Sequence, residues 1–125
     1  MRITTKATNT TLTPAILQYV EKKIGNVEKL IDEAHRDAAR ADVEIEVTTH
    51  HHKAGESQFR AEVNLHAGDM HLRAEELHAD LYAAIDAVKD EITRSIVSKK
   101  GKQQSRLRRG GQKIKDMLKG FPWRG

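Results

Sequence analysis

The chain has 125 residues, 32% of them charged and 38% hydrophobic, with no cysteine and a net charge of +4. That length suits one domain with a modest core; the lack of cysteine excludes disulfides and thiolate metal sites, and no stretch approaches the roughly 18 apolar residues of a membrane span. The charge is divided: residues 1–87 hold 10 Lys/Arg against 15 Asp/Glu, and residues 88–125 hold 12 against 3. An acidic body with a basic end would meet nucleic acid, an acidic protein or an anionic membrane end-first. The plain alternative is a solvated basic tail. Nothing suggests secretion, and the cytoplasm is the expected location.

Residues 1–8 alternate Ile3, Thr5 and Ala7 with Arg2, Thr4 and Lys6, the period of a strand. Thr13-Pro14 is a helix start, because Thr caps the orphan amides of the first turn and Pro at the first helical position loses no hydrogen bond. Ile16, Val20, Ile24, Val27, Leu30 and Ile31 then mark the apolar face of a helix over about 14–33. Gly25 weakens its interior by up to about 1 kcal/mol relative to Ala. Lys22, Lys23 and Lys29 form a basic edge of this helix or are simply solvated. After a charged, Ala-rich connection, Val43, Ile45 and Val47 alternate with Asp42, Glu44 and Glu46, giving a strand with one apolar and one acidic face. His50 to Glu56 reads as a loop. Phe59, Ala61, Val63 and Leu65 resume the alternation, and Gly68-Asp69 suits a tight hairpin into a strand from Met70.

That last strand is expected to pass near Glu76 or Leu77 into a long helix reaching Lys102. Leu77, Leu81, Ala84, Ile85, Val88, Ile92 and Ile96 form its buried stripe. Beyond Ser98 the charge is almost purely positive, so the helix is anchored by its first half and cationic in its second. The order of elements, β-α-β-β-β-α, implies a two-layer α/β sandwich: a four-stranded mixed sheet with two helices on one face and the other face open and polar. Residues 1–102 form the domain. Residues 103–125, interrupted by Gly110-Gly111, are expected to be a basic tail without stable structure of its own. Phe121-Pro122-Trp123 in that tail could stack on a base, dock in a protein groove or do neither.

No motif points to catalysis or to a cofactor. Three consecutive histidines in a loop rarely aim at one centre, and no acid at a suitable spacing completes a metal site. The acids Glu75, Glu76, Asp80 and Asp86 are explained without acid-base work, Asp80 by the helix start it precedes. There is no Gly-rich phosphate loop and no Ser-His-acid pattern. Tyr82 is read as a core-edge residue, and Arg73, on the polar side of its strand, as a partner for Glu44, Glu46 or Glu62.

At this point the chain resembles a family. Leu72-Arg73-Ala74-Glu75-Glu76, Asp80 to Asp86, and then Asp90, Arg94 and Lys100 are similar to the final strand and helix of the ribosome hibernation-promoting factors, also called ribosome-associated inhibitor or protein Y. Thr13-Pro14-Ala15, Tyr19 to Lys23 and Glu28-Lys29-Leu30 resemble their first helix. The likeness covers about residues 1–102. It implies a domain shaped like double-stranded-RNA-binding domains. It also implies binding to the small ribosomal subunit and its 16S-type rRNA at the decoding region, where the bound protein keeps an idle ribosome inactive by steric occupation. No small-molecule substrate, cofactor or membrane is implied, and the free protein is expected to be monomeric.

Carried over by position, Lys23, Lys29, Arg73, Arg94 and Lys100 fall where the family places cations that face rRNA. Lys22, Lys89 and Lys99 join them by charge and helical position. Glu91, Val97 and Ser98 stand where many relatives have Lys or Arg, and Leu81 replaces a usual Met. The separate dimerisation domain of the long form has no counterpart, so the chain resembles a short form. A different reading, also attached to the family, is modulation of an alternative sigma factor in transcription.

Overall fold

The alternating segments pair into one sheet. In the computed structural model, which describes residues 1–49 and 57–118, strands β1 (Arg2–Thr8), β2 (Arg40–Thr49), β3 (Ser57–Ala67) and β4 (Met70–His78) lie in the order β1-β2-β3-β4. Thr49, Ser57 and residues 103–118 are described by backbone alone. The triple histidine and Phe121-Pro122-Trp123 lie outside the described residues. β1 runs parallel to β2, while β2–β3 and β3–β4 are antiparallel. The β3–β4 turn is led by Gly68 at φ +59°, a conformation in which a side chain is strained and in which a Cβ would also sit 3.0 Å from the His35 ring.

Helices α1 (Pro14–Gly25) and α3 (Leu81–Leu118) cover one sheet face, and the single turn α2 (Glu33–Arg36) leads into β2. Ala41, Val43, Ile45, Ala61, Val63, Leu65 and Ala74 point into the layer between, against Val20 and Ile24 of α1 and Ile85, Val88, Ile92 and Ile96 of α3. Burying a large aliphatic side chain contributes roughly 1.5 to 3 kcal/mol, so this interleaved set fixes where both helices lie. The two-layer mixed-sheet architecture with its helices on one side is the one expected from the sequence. Among the described residues no helix is long and apolar enough to cross a membrane.

Three boundaries differ from expectation. The first helix ends at Gly25 and continues as a 3₁₀ turn over Asn26–Leu30, so the apolar stripe to Ile31 is delivered by two helical pitches instead of one. β4 runs on to His78, and α3 starts at Leu81 with Asp80 as its cap: the Asp80 carboxylate accepts from Tyr82 N at 3.4 Å and from Ala83 N at 3.3 Å. Leu77, expected on the buried stripe, is therefore an outward strand residue, 47% exposed. At the other end the α3 backbone continues through Gln103 to Leu118, where a tail without regular structure was expected. Gly101, Gly110 and Gly111 each cost about 1 kcal/mol relative to Ala in a helix interior but do not block the helical path as Pro would.

Candidate nucleic-acid interface

Charge on this molecule sorts by layer, and at the centre of the open sheet face it is self-contained. Register places Lys6, Glu44, Glu62 and Glu75 side by side across the four strands, with Glu46 and Arg60 on the next rung. Arg60 reaches all of its carboxylate neighbours: Glu46 at 2.8 Å, Glu62 at 3.0 Å, Glu75 at 3.2 Å, and Glu44. Burial works against the Arg60 charge, but hydrogen bonds to Glu46 and Glu44 outweigh it and hold the guanidinium above its ordinary range. Arg73 joins the same network, donating to Glu62 at 2.6 Å and to Glu75 at 3.0 Å. Burial would raise the Glu62 pKa; hydrogen bonds from Arg73 and Asn64 reverse that and lower it.

On the helical layer the cations are less completely matched. Lys23, at the end of α1, is 3.6 Å from Asp86 of α3 and 5.4 Å from the centre of the Tyr19 ring. The Tyr19 hydroxyl donates to the same Asp86 at 2.7 Å, and chiefly for that reason its pKa is pushed up to about 12. Tyr19 and Tyr82 meet edge to face at 4.8 Å, which aligns α1 with the first turns of α3. Lys89 pairs with Asp90 at 3.6 Å, and Lys100 with Asp32 at 3.4 Å. Lys22, Lys29, Arg94 and Lys99 have no carboxylate within 4.0 Å among the described residues.

Helical spacing divides the α3 cations between two flanks. Lys89 and Lys100, eleven residues apart, share the flank toward α1 and α2. Arg94, Ser98 and Lys102, at steps of four, line the other flank, and with Lys99 they wall an open groove of about 780 Å³ against Leu72 and Glu76 of the β4 edge. Glu91 also faces this groove. Its hydrogen bond with the Glu76 carboxyl, then burial, raise its pKa, while the nearby Arg94 pulls the other way.

Of the eight cations singled out in the sequence, seven lie on the helical layer and Arg73 does not. Residue alternation puts Arg73 on the far side of β4, where it is tied into the Arg60 network instead of joining Arg94 and Lys99. Sequence reading also passed over Arg60, and it placed Lys102 only in the cationic run beyond Ser98 without assigning it to the site. The signal for Arg60 was its position as an outward cation beside Glu44, Glu46 and Glu62 on β2 and β3; Lys102 was legible as the next turn after Arg94 and Ser98. Among the described residues no cluster of three metal-ligating side chains occurs.

Comparison with known proteins adds three findings. Residues 3–104 match the model of the family described as sigma 54 modulation protein / S30EA ribosomal protein. Among curated proteins, the ribosome hibernation promotion factor of Lactococcus lactis subsp. cremoris is 36% identical over 88 residues, 70% of this chain and 43% of that protein. That of Staphylococcus aureus is 33% identical over 107 residues, 85% of this chain and 52% of that protein. The chain thus spans about half the length of these relatives. Among solved structures, the N-terminal domain of Thermus thermophilus Protein Y superposes with a TM-score of 0.62 at 33% identity, covering 77% of this chain and 96% of that one. A ribosomal subunit interface protein from Coxiella burnetii gives 0.64 at 16% identity, covering 81% and 99%, a likeness of fold alone.

Proposed function

The chain belongs to the sigma 54 modulation protein / S30EA ribosomal protein family, and from that premise we propose that it is a ribosome-binding translation silencer. In this reading it occupies the decoding region of the small subunit and keeps idle ribosomes from initiating. The mechanism is steric and electrostatic: a preformed surface displaces counterions from rRNA phosphates, and no bond is made or broken. It acts as a monomer in the cytoplasm. Residues 1–102 form the binding unit, and 103–125 are a basic extension of it.

The observation that carries this reading is the set of unmatched cations, Lys22, Lys29, Arg94 and Lys99, on the layer built by α1 and α3. Lys23, Lys89 and Lys100 support them, because exposed ion pairs of that kind contribute about 0 to 1 kcal/mol and can be exchanged for phosphate. The ribosome hibernation names of the two curated relatives favour the ribosomal reading over action on a sigma factor.

Sedimentation through a sucrose gradient tests it. The protein should travel with small subunits or whole ribosomes at low salt, with affinity falling on log-log axes with a slope of about −4 if some four phosphates are contacted. Reversing Lys22, Lys29, Arg94 and Lys99 to Glu together should leave it at the top of the gradient. Migration with RNA polymerase, or retained ribosome binding by the quadruple variant, would defeat the proposal.

A further inference from the structure

One rung of the open sheet face carries no carboxylate of its own, and of its four side chains Arg40 alone pairs with a carboxylate among the described residues, Asp42 on the neighbouring rung. In register across all four strands stand Arg2, Arg40, His66 and His71, all basic or imidazole side chains pointing away from the helices. His66 and His71 stack with ring centres 4.1 Å apart and planes 20° from parallel. Asp42, on the following rung, lies 3.1 Å from Arg40 Nε, and Asp69 sits in the adjoining hairpin. Arg73 is on the Asp42 rung, opposite Asn64.

The location of the rung gives it meaning. It is the end of the sheet nearest the β3–β4 hairpin, and on the other side of that hairpin Lys99 and Lys100 of α3 line a pocket with Asp69 and Met70. Cations from both layers thus converge on one end of the domain, the end from which α3 continues toward Leu118. Four strands spaced about 4.8 Å apart make the rung about 14 Å wide, room for more than one phosphate of an RNA strand. Two arginines can each grip phosphate oxygens in bidentate fashion, and a stacked imidazole pair offers further N–H donors beside them.

We propose that the Arg2–Arg40–His66–His71 rung is a second phosphate-contact surface for folded RNA, so that the polyanion is held around the hairpin end of the domain from both layers. The identity of the RNA as ribosomal rests on the function proposed above; the surface itself rests on the rung. An A-form RNA duplex of about 20 base pairs, longer than the roughly 16 that a shape-reading domain spans, and purified small subunits serve as separate probes of the full chain.

The variant Arg2→Gln/Arg40→Gln/His66→Gln/His71→Gln should bind the duplex about tenfold more weakly, with a log-log salt slope shallower by roughly 2, at a near-native melting temperature. If the fourfold change lowers that temperature, the more exposed pair Arg2→Gln/Arg40→Gln should give a smaller loss in the same direction. Unchanged affinity and slope would overturn the rung, as would binding of poly-L-glutamate in preference to RNA or failure of the wild type to bind either probe. Wild-type binding to the duplex but not to subunits would defeat the ribosomal reading alone, and the rung would stand or fall on the duplex result.

Discussion

The open sheet face and the helical layer carry similar charged side chains and use them in opposite ways. At the centre of the open face two guanidiniums, Arg60 and Arg73, and their carboxylates face one another at 2.6 to 3.2 Å, and the field they project largely cancels. On the helical layer Arg94 and Lys99 wall a groove without an ion-paired partner among the described residues. A count of Lys and Arg therefore does not locate a binding surface; what matters is how many remain unmatched once cross-strand and cross-helix partners are in place.

The largest expected effect on stability breaks the matched face. In Arg60→Met, Glu44, Glu46, Glu62 and Glu75 would be left crowded on adjacent strands without their shared cation. Removing one partner of a shielded ion network is far more costly than the network is stabilising. After allowance for partial exposure, we expect a loss of about 2 kcal/mol in urea denaturation. Ribosome binding of the folded fraction should be unchanged. The converse holds for Arg94→Glu/Lys99→Glu, which should weaken ribosome binding by about a hundredfold at low salt while leaving the melting temperature within about 2 °C. If Arg60→Met lowered binding and the groove variant lowered stability, the division of labour between the faces would be wrong.

Acid should sharpen the same contrast. The folded-state pKa of Glu62 is lowered from the ordinary 4.5, so its stabilisation is present above about pH 4.5 and is lost as pH falls through the lower folded value. Glu91 has the opposite sign: its pKa is raised, so it favours the fold on the acid side of 4.5 and loses that contribution as pH climbs through the raised value. Denaturation from about pH 6 to about pH 3 should show the open face failing first. Glu62→Gln should flatten that acid limb, and Glu91→Gln should not.

Much of the scaffold was legible because periodicity is a local property. Val43, Ile45 and Val47 or Ile85, Val88, Ile92 and Ile96 announce strand or helix without knowledge of their neighbours. The errors fell where two periods agree. Leu77 sits four residues before Leu81 and fits a helical stripe, yet it also alternates with Glu76 as a strand residue, and only the Asp80 cap separates the two. The cations of α1 and α3 were recognisable from spacing and from family likeness. The pairing on the open face was not, because Arg60 meets Glu44, Glu46 and Glu75 only through register between strands far apart in sequence. The terminal rung was hidden for the same reason: Arg2, Arg40, His66 and His71 share nothing in sequence and become neighbours only in the sheet.

The smallest effect we predict moves one residue from the matched to the unmatched class. Asp86 holds Lys23 at 3.6 Å and accepts from the Tyr19 hydroxyl at 2.7 Å, so a single carboxylate restrains a cation and a phenol together. Asp86→Asn removes the charge while keeping the size and one acceptor. The Tyr19 pKa should come down from about 12 toward the ordinary 10, which ultraviolet titration of the phenolate reads directly. Lys23 would then be free to meet phosphate, and ribosome affinity should rise about twofold to fivefold, with a salt slope steeper by up to about 1. The hydrogen bond is part-buried, and weakening it should cost about 1 kcal/mol. A fall in affinity would mean instead that Asp86 positions Lys23, and that the paired cations of the helical layer are as much a part of the binding surface as the unpaired ones.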